Sequence, residues 1–248
     1  TDAGFTRDGG LFGYIGSGGA VSRLALSAAS VSGSGDSGLL VGRNAGTLSQ
    51  VSASGVLQGG GASGQHASGG LAGSNSGSIS QASSQGSVSG QQQTGGLVGR
   101  NSGSISSSQS SANVSASGNE AGGLVGRHSG ASASITDSTA SGTVQSSADY
   151  AGGLVGRSER GSISSSQASG TVQGDDFVGG LVGLSNGSSI TDSRASGNVT
   201  ASGDYAGGLV GYNEGYAAAA RISNSHYQGT VRGVSHVGGL VGHNQNFA

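Results

Sequence analysis

The sequence of 248 residues contains no proline, cysteine, methionine, tryptophan or lysine. Without cysteine the chain can form neither a disulfide nor a thiolate zinc site, which is compatible with an extracellular location where no covalent cross-link is needed. It has no run of 18 apolar residues, so we predict no transmembrane segment. The chain begins Thr1-Asp2-Ala3, with neither Met nor a signal-like apolar stretch, and we expect a mature segment or a piece of a longer protein.

Charged residues are also scarce, at 9%, and aromatic residues make up only 4%. Glycine is abundant instead, with 54 residues, and a glycine- and serine-rich composition by itself would suggest a flexible linker. Disordered chains usually carry proline and a high net charge, whereas this chain has no proline and a formal net charge of −2. Its apolar residues also recur in a fixed register, so the sequence predicts an ordered structure.

The recurring element is a box of five residues, which reads Gly-Gly-Leu-Val-Gly in its purest form at residues 122–126. Nine versions of the box occur, at spacings of 26 to 31 residues, with the leucines Leu11, Leu40, Leu71, Leu97, Leu124, Leu154, Leu181, Leu209 and Leu240. Periods of this size are typical of stacked repeats. We therefore expect a single repeat domain over residues 1–248, in which residues 1–31 form an atypical N-terminal coil.

A second pattern follows each box from that of Leu40 to that of Leu209: an Ile or Leu, and nine residues later a Val or Leu. The pairs are Leu48/Leu57, Ile79/Val88, Ile105/Val114, Ile135/Val144, Ile163/Val172, Ile190/Val199 and Ile222/Val231. Because nine is odd, an uninterrupted strand would place the two residues on opposite faces, so a bend must lie between them. The residues three, five and seven positions past the Ile are small. They alternate in step with the Val that closes the pattern and so share one face of a strand with it, which predicts that the bend lies directly after the Ile.

These patterns predict short strands. Helical repeats are excluded because no apolar stripe with a 3.6-residue period is present, and a propeller blade needs about 40 residues or more. We predict an all-β fold, a β-solenoid (β-helix) of about nine coils, in which equivalent residues stack in columns about 4.8 Å apart. The box leucines from Leu40 to Leu240 and the isoleucines of the second pattern are expected to form the core columns.

The box, with the Asn-x-Gly and Ser-Ile that follow it, resembles the GLUG repeat, named for Gly-Leu-hydrophobic-Gly. The resemblance covers the chain from Leu11 to Gly242. GLUG repeats are known from bacterial surface proteins, including filamentous-haemagglutinin-like adhesins and IgA-cleaving metallopeptidases, where they lie outside the protease domain. The resemblance implies a stalk or adhesive rod at the bacterial cell surface. No His-Glu-x-x-His motif occurs, so peptidase activity has no support in this segment.

The column that follows the box is a candidate ligand site. It carries arginines in three consecutive coils, Arg100, Arg127 and Arg157. Like charges about 5 Å apart are unfavourable unless anions or acidic side chains lie between them. The arginines are candidates for binding anionic glycans or lipopolysaccharide phosphates, since a guanidinium group suits planar anions. The alternative is a solvated ladder whose charges pair with Glu120, Asp149 or Glu159.

The segment just before the box is the second candidate ligand site. Four successive coils carry Asp149-Tyr150, Asp176-Phe177, Asp204-Tyr205 and Ser235-His236 there. An acidic residue beside an aromatic ring suits sugar recognition, in which rings contact the apolar sugar face and carboxylates bind hydroxyls. The alternative is a loop whose ring covers the edge of the core and whose Asp caps a turn.

Two other groups of polar residues are assigned no ligand. A column of asparagines follows the arginine column and is predicted to be a structural ladder of stacked amides: Asn44, Asn75, Asn101, Asn213 and Asn244, interrupted by His128, Ser158 and Ser185. Asp137 and Asp192 occupy equivalent positions, but a coil lies between them and no third catalytic group accompanies them. We predict no catalytic residue, no metal site and no cofactor.

The sequence thus predicts a non-enzymatic extracellular rod that presents a surface to glycans or to cell-surface and matrix components. A second hypothesis is a filament subunit that stacks end to end on copies of itself. It rests on the few residues that follow the last box, because an unpaired solenoid end is a template for another chain. Nucleic acid is not predicted as a partner.

Overall fold

The computed structural model describes residues 8–60, 66–215 and 220–246. Parallel strands form four sheets that run the length of the molecule, and each strand pairs with its equivalents one coil before and one coil after it. This confirms the predicted β-solenoid, which makes about eight full turns, while all nine boxes contribute a strand to one sheet. Within the described ranges no helix is long and apolar enough to cross a membrane.

Sheet 1 starts after the box leucine. Its nine strands are Phe12–Ile15, Val41–Asn44, Ala72–Asn75, Val98–Asn101, Val125–Ser129, Val155–Glu159, Val182–Asn186, Val210–Gly215 and Val241–Asn246. Sheet 2 contains the Ile of the second pattern. Its eight strands are Ala20–Ser22, Thr47–Ser49, Ser78–Ser80, Ser104–Ser106, Ser134–Thr136, Ser162–Ser164, Ser189–Thr191 and Arg221–Ser223.

Sheet 3 contains the closing Val and has thirteen strands, because the later coils split one long strand into two. They are Ala25–Gly33, Ser52–Gly59, Ser83–Gly90, Gln109–Ser110, Asn113–Ala116, Thr139–Ala140, Val144–Ser146, Gln167–Ala168, Val172–Gly174, Arg194–Ala195, Val199–Ala201, His226–Tyr227 and Val231–Arg232. Sheet 4 leads into the box. Its eight strands are Ser37–Gly38, Ser68–Gly69, Thr94–Gly95, Ala121–Gly122, Ala151–Gly152, Val178–Gly179, Asp204–Gly207 and Ser235–Gly238.

The predicted bend is a corner between sheets 2 and 3. One residue per coil adopts a left-handed conformation there, with φ between 48° and 55°: Arg23, Gln50, Gln81, Ser107, Asp137, Ser165, Asp192 and Asn224. The corner lies two residues after the Ile rather than directly after it. Beyond it, Ser108, Ser110, Ala112 and Val114 all face the interior, as their alternation predicts. Asp137 and Asp192 are exposed corner residues.

The box leucines from Leu40 to Leu209 and the isoleucines from Ile79 to Ile190 are fully buried and form the core. Two residues predicted for the same columns lie differently: Leu240 is 42% exposed and Ile222 is half-buried. Both belong to the last described strand or box of their columns, so a neighbouring coil covers them on one side only. The degenerate first box is similar, and Leu11 is exposed.

The box glycines let one coil lie directly on the next. A Cβ atom on Gly123 would lie 2.2 Å from the carbonyl oxygen of Gly153 in the following coil. One on Gly126 would lie 2.5 Å from the carbonyl carbon of Gln93 in the preceding coil. Side chains at these positions would force the coils apart, which explains why glycine recurs there.

The asparagine column is a hydrogen-bonded ladder inside the rod, as predicted. Asn44 Nδ2 donates to Asn75 Oδ1 and Asn75 Nδ2 donates to Asn101 Oδ1, both at 2.7 Å. The ladder then reaches Nδ1 of the buried His128, which lies 3.1 Å from Asn101 Nδ2. Since these amides satisfy one another from coil to coil, they stabilise the stacking without a bound ligand.

Candidate ligand-binding face

The two candidate columns predicted separately meet on one outer face of the rod, where sheet 4 turns into sheet 1. We call this surface the box face. Its pre-box column consists of Asp36, Ala67, Gln93, Glu120, Tyr150, Phe177, Tyr205 and His236. Its post-box column consists of Tyr14, Arg43, Ser74, Arg100, Arg127, Arg157, Leu184, Tyr212 and His243, in continuous parallel register. The two columns are in contact: Arg157 lies over the Tyr150 ring, with Cζ 5.3 Å from its centroid.

The backbone of the pre-box column is left-handed in six successive coils. Gln93, Glu120, Tyr150, Phe177, Tyr205 and His236 have φ values between 48° and 71°. This conformation is unfavourable for bulky side chains and persists only where the surrounding structure enforces it. Here the turn into the box enforces it, and it brings the pre-box side chains beside the post-box column.

The middle of the box face is an ion-pair cluster. Glu159 bridges two arginines, with Arg127 Nη2 2.7 Å and Arg157 Nη2 2.6 Å from its two carboxylate oxygens. Glu120, which is 5% exposed, lies 3.5 Å from Arg127 and 3.7 Å from Arg157. Burial raises the pKa of Glu120, although the two guanidinium groups oppose this shift. Of the three acidic partners predicted for the arginines, Glu120 and Glu159 form ion pairs with them.

The arginines of the N-terminal coils are also close to carboxylates. Asp36 Oδ2 lies 3.7 Å from Arg43 Nε and 4.0 Å from Arg100 Nη2, and Asp8 lies 4.0 Å from Arg43. Every arginine of the post-box column therefore has an acidic side chain within 4.0 Å. An anionic ligand at these arginines would have to compete with the protein's own carboxylates.

The C-terminal half of the box face is a double column of rings. Phe177, Tyr205 and His236 stack in sequence with centroids 4.9 and 4.7 Å apart, and Tyr150 lies on Phe177 at 5.1 Å with its ring tilted by 31°. Tyr212 stacks on His243 at 4.9 Å, and the two columns meet edge to face. The faces of Phe177 and Tyr205 are therefore covered by neighbouring rings, so a ligand would contact ring edges and hydroxyl groups rather than the ring faces that we expected to meet a sugar.

Four carboxylates, which we call the acidic ledge, flank the ring columns: Asp149, Asp175, Asp176 and Asp204. Asp176 Oδ1 accepts a hydrogen bond from the backbone N–H of Asp204, and Asp204 Oδ1 accepts one from Ser235 Oγ at 2.6 Å. The aspartates thus bind groups of the following coil, as turn caps do. Burial raises the pKa of Asp149, and the nearby charges of Asp176 and Asp175 raise it further. Among the residues that the structure describes, no cation forms an ion pair with the ledge.

A third column on the box face was not predicted. Glu159, Asn186, Glu214 and Gln245 are in register two residues after the post-box column. Asn186 Nδ2 donates to Glu214 Oε1 at 2.8 Å, and Tyr212 OH donates to Gln245 Oε1 at 3.0 Å. Its signal in the sequence was the two-residue alternation of a strand, which places every second residue on one face. In the parts of the chain with assigned positions, no three acidic or histidine side chains form a group that could hold a metal ion.

Comparison with known proteins gives one match. A family model described as the GLUG motif matches four consecutive segments, residues 117–145, 147–173, 178–200 and 202–232. Comparison with curated proteins and with solved structures gives no significant match. The matched segments contain the Asp-aromatic pairs at Tyr150 and Tyr205, whereas Asp176 and Phe177 lie between two of them, and the first four boxes and the last one lie outside them. Residues 117–232 therefore carry four GLUG motifs in succession, and this part of the chain is a GLUG-repeat region.

Proposed function

We propose that this chain is the rod of an extracellular bacterial adhesin and that the box face is the surface with which it binds glycans. The observation that carries the proposal is the distribution of rings. Five of the seven described Tyr and Phe residues lie on the box face: Tyr14, Tyr150, Phe177, Tyr205 and Tyr212. In a chain with 4% aromatic residues, this concentration on one face is typical of a binding surface, where rings with a polar end are enriched.

The rest of the molecule supports a structural role. The leucine and isoleucine columns and the internal asparagine ladder join each coil to the next, and a stack of this kind extends as a rod. The outward residues of sheet 3 are mostly Ser, Gln, Thr and Asn, such as Gln145 and Thr200, which lack the rings and ion pairs of the box face. The GLUG motifs favour a location at the bacterial cell surface, and the absence of cysteine is compatible with it.

The role of the pre-box rings in glycan binding can be tested with a triple variant, Tyr150→Gln, Phe177→Gln and Tyr205→Gln. Glutamine is suitable because Gln93 occupies the same position in an earlier coil with the same left-handed backbone. We expect glycan affinity to fall at least about tenfold, since ring contacts contribute about 0.5–1.5 kcal/mol each beyond the burial of area. The measurement is binding of the wild-type and variant chains to a glycan array and to whole cells.

The matched control replaces outward residues of sheet 3, with Gln145→Ala, Gln173→Ala and Thr200→Ala. This variant should bind glycans like the wild type. Circular dichroism must show a folded β-solenoid for both variants, because the ring stack also contributes to stability. A folded ring variant that binds glycans and cells as well as the wild type would contradict the proposed function.

End-to-end stacking into a filament stays a prediction. If it occurs, the apparent mass of the 248-residue chain should rise with concentration in sedimentation velocity, because association of solenoid ends depends on concentration. A strictly monomeric chain across the whole range would contradict it.

A further inference from the structure

The asparagine column is interrupted in the middle of the rod. After His128 it continues in parallel register with Ser158 and Ser185 and returns to asparagine at Asn213. Both serines are 0% exposed and Asn213 is 2% exposed. Ser185 Oγ and Asn213 Oδ1, which are neighbours in this column, have no hydrogen-bond partner among the described residues. Protein interiors rarely leave such atoms unpaired, because the loss of their hydration is unfavourable.

The uninterrupted part of the column shows which groups surround a side-chain amide there. Asn75 Nδ2 donates to Asn101 Oδ1 at 2.7 Å, and its other acceptors are the carbonyl oxygens of Gly77 at 3.3 Å and Ser104 at 3.4 Å. Gly77 belongs to the same coil as Asn75, and the other two belong to the next coil. Oxygen acceptors from two successive coils therefore converge on one point inside the rod.

Equivalent acceptors surround Ser185. By strand register, Asn213 Oδ1 and the Arg221 carbonyl lie in the next coil and the Ser188 carbonyl lies in the same coil. The Ser188 carbonyl accepts a hydrogen bond from Arg221 N–H at 3.0 Å and has a second lone pair. Ser185 has no amide N–H with which to reach these oxygens, and its hydroxyl group bonds to none of them. The oxygens are thus available to one further donor.

The preceding coil shows how a serine of this column can be paired. Ser158 Oγ donates to Ser188 Oγ at 2.9 Å, because the side chain of Ser188 points back toward the coil of Ser158. One coil further on, Ala220 occupies the position of Ser188 and has a methyl group instead of the hydroxyl group. The pair of Ser185 and Ala220 therefore lacks the oxygen atom that Ser188 supplies to Ser158.

We propose that one buried water molecule binds between Ser185 and Asn213 and supplies this oxygen atom. The water accepts a hydrogen bond from Ser185 Oγ and donates to Asn213 Oδ1 and to the Ser188 carbonyl, which gives it the number of partners typical of buried water. The amides of the column donate toward the following coil, and the water continues the column in the same direction. This site goes beyond the proposed function and is independent of glycan binding.

A water molecule suits this site better than a metal cation does. A cation would also be surrounded by oxygen atoms, but it could not accept the hydrogen bond of Ser185 Oγ. Among the described residues, the buried carboxylates are those of Asp36 and Glu120, which lie in the pre-box column, and Glu214, next to Asn213, faces outward. A cation would therefore be buried without a counter-charge, which is strongly unfavourable.

The third unpartnered atom of the column, His128 Nε2, offers no second site of this kind. A Cβ atom on Gly161 of the next coil would lie 2.3 Å from Nε2, so the imidazole ring itself fills the space toward that coil. The column thus contains one water site, between Ser185 and Asn213.

The test is a crystal structure of the 248-residue chain at a resolution that shows ordered water, together with water-to-protein NOEs in solution. We expect a density peak within about 3.2 Å of both Ser185 Oγ and Asn213 Oδ1, and NOEs between water and the side-chain amide of Asn213. In the variant Ala220→Ser, the new hydroxyl group should take the position of the water, as that of Ser188 does beside Ser158. The peak and the NOEs should then disappear.

The matched control is Ala168→Ser, a buried change at a position where an earlier coil carries Ser110. This variant should keep the water. A direct hydrogen bond between Ser185 Oγ and Asn213 Oδ1 with no peak between them would overturn the inference, and so would a peak that Ala220→Ser leaves unchanged. A peak that gains anomalous signal when the crystals are soaked in rubidium chloride would overturn it in favour of a monovalent cation. None of these outcomes affects the glycan-binding test of the box face.

Discussion

A Gly123→Ala variant is expected to lose about 3 kcal/mol or more of its free energy of unfolding. Its Cβ atom would lie 2.2 Å from the backbone oxygen of Gly153 and 3.1 Å from Cβ of Ala140. Neither neighbour can rotate away, since one is backbone and the other is the first atom of a side chain. The coils would have to separate at the box, where Leu124 N–H and Val125 N–H both donate to the Leu154 carbonyl at 2.9 Å.

The repeat supplies the control for this prediction. Gly239 occupies the same box position in the last coil, and a Cβ atom there would contact nothing within 4 Å. Gly239→Ala in the 248-residue chain should be neutral or stabilising by up to about 1 kcal/mol, because alanine restricts the unfolded chain. Thermal and urea denaturation followed by circular dichroism measure both variants. Equal stability of the two would show that the box glycines are not required for coil-to-coil contact.

The second large effect is a pH dependence that comes from His128. Burial lowers the pKa of this imidazole from 6.5 to about 4. The unfolded chain binds a proton as the pH falls through 6.5, and the folded chain does not bind it until about pH 4. Stability should therefore fall across this window as the pH is lowered, by roughly 3 kcal/mol from this residue when the window has been crossed. Glu120, whose pKa burial raises, acts in the opposite direction, because its folded state takes up a proton first.

His128→Asn isolates the contribution of the imidazole. Five other coils carry Asn in this column, so the variant extends the ladder through which Asn75 donates to Asn101. Urea unfolding at about pH 7 and about pH 4.5 should show a much smaller loss of stability for the variant than for the wild type. His236→Asn, which removes an exposed histidine, should keep the wild-type loss. Identical pH slopes in the wild type and in His128→Asn would contradict the prediction.

The architecture could be predicted because a solenoid repeats its local chemistry. Stacking equivalent residues at one spacing converts a period in the sequence into columns in space, so the leucine, isoleucine and asparagine columns followed from counting positions. The bend after the Ile followed from the odd, nine-residue spacing between the Ile and the Val, since successive residues of a strand face opposite sides. The exact position of the bend, two residues after the Ile at Ser107 or Asp137, could not be predicted from the sequence. Almost any residue can be forced into a left-handed corner once the sheets on both sides are fixed.

The sequence by itself determined the fold, the register of the coils and the residues that lie beside the box. Only the tertiary structure decided that the columns before and after the box form one face, because the angle at which sheet 4 turns into sheet 1 is not a periodic property. That turn brings Glu120 to Arg127 and Arg157, so the arginines are paired, and it stacks Phe177 between Tyr150 and Tyr205, so ring edges remain for a ligand. The aspartates of the acidic ledge are the charged groups of this face that form no ion pair. Ion pairing depends on distances across the turn, and these distances cannot be read from the spacing of residues along the chain.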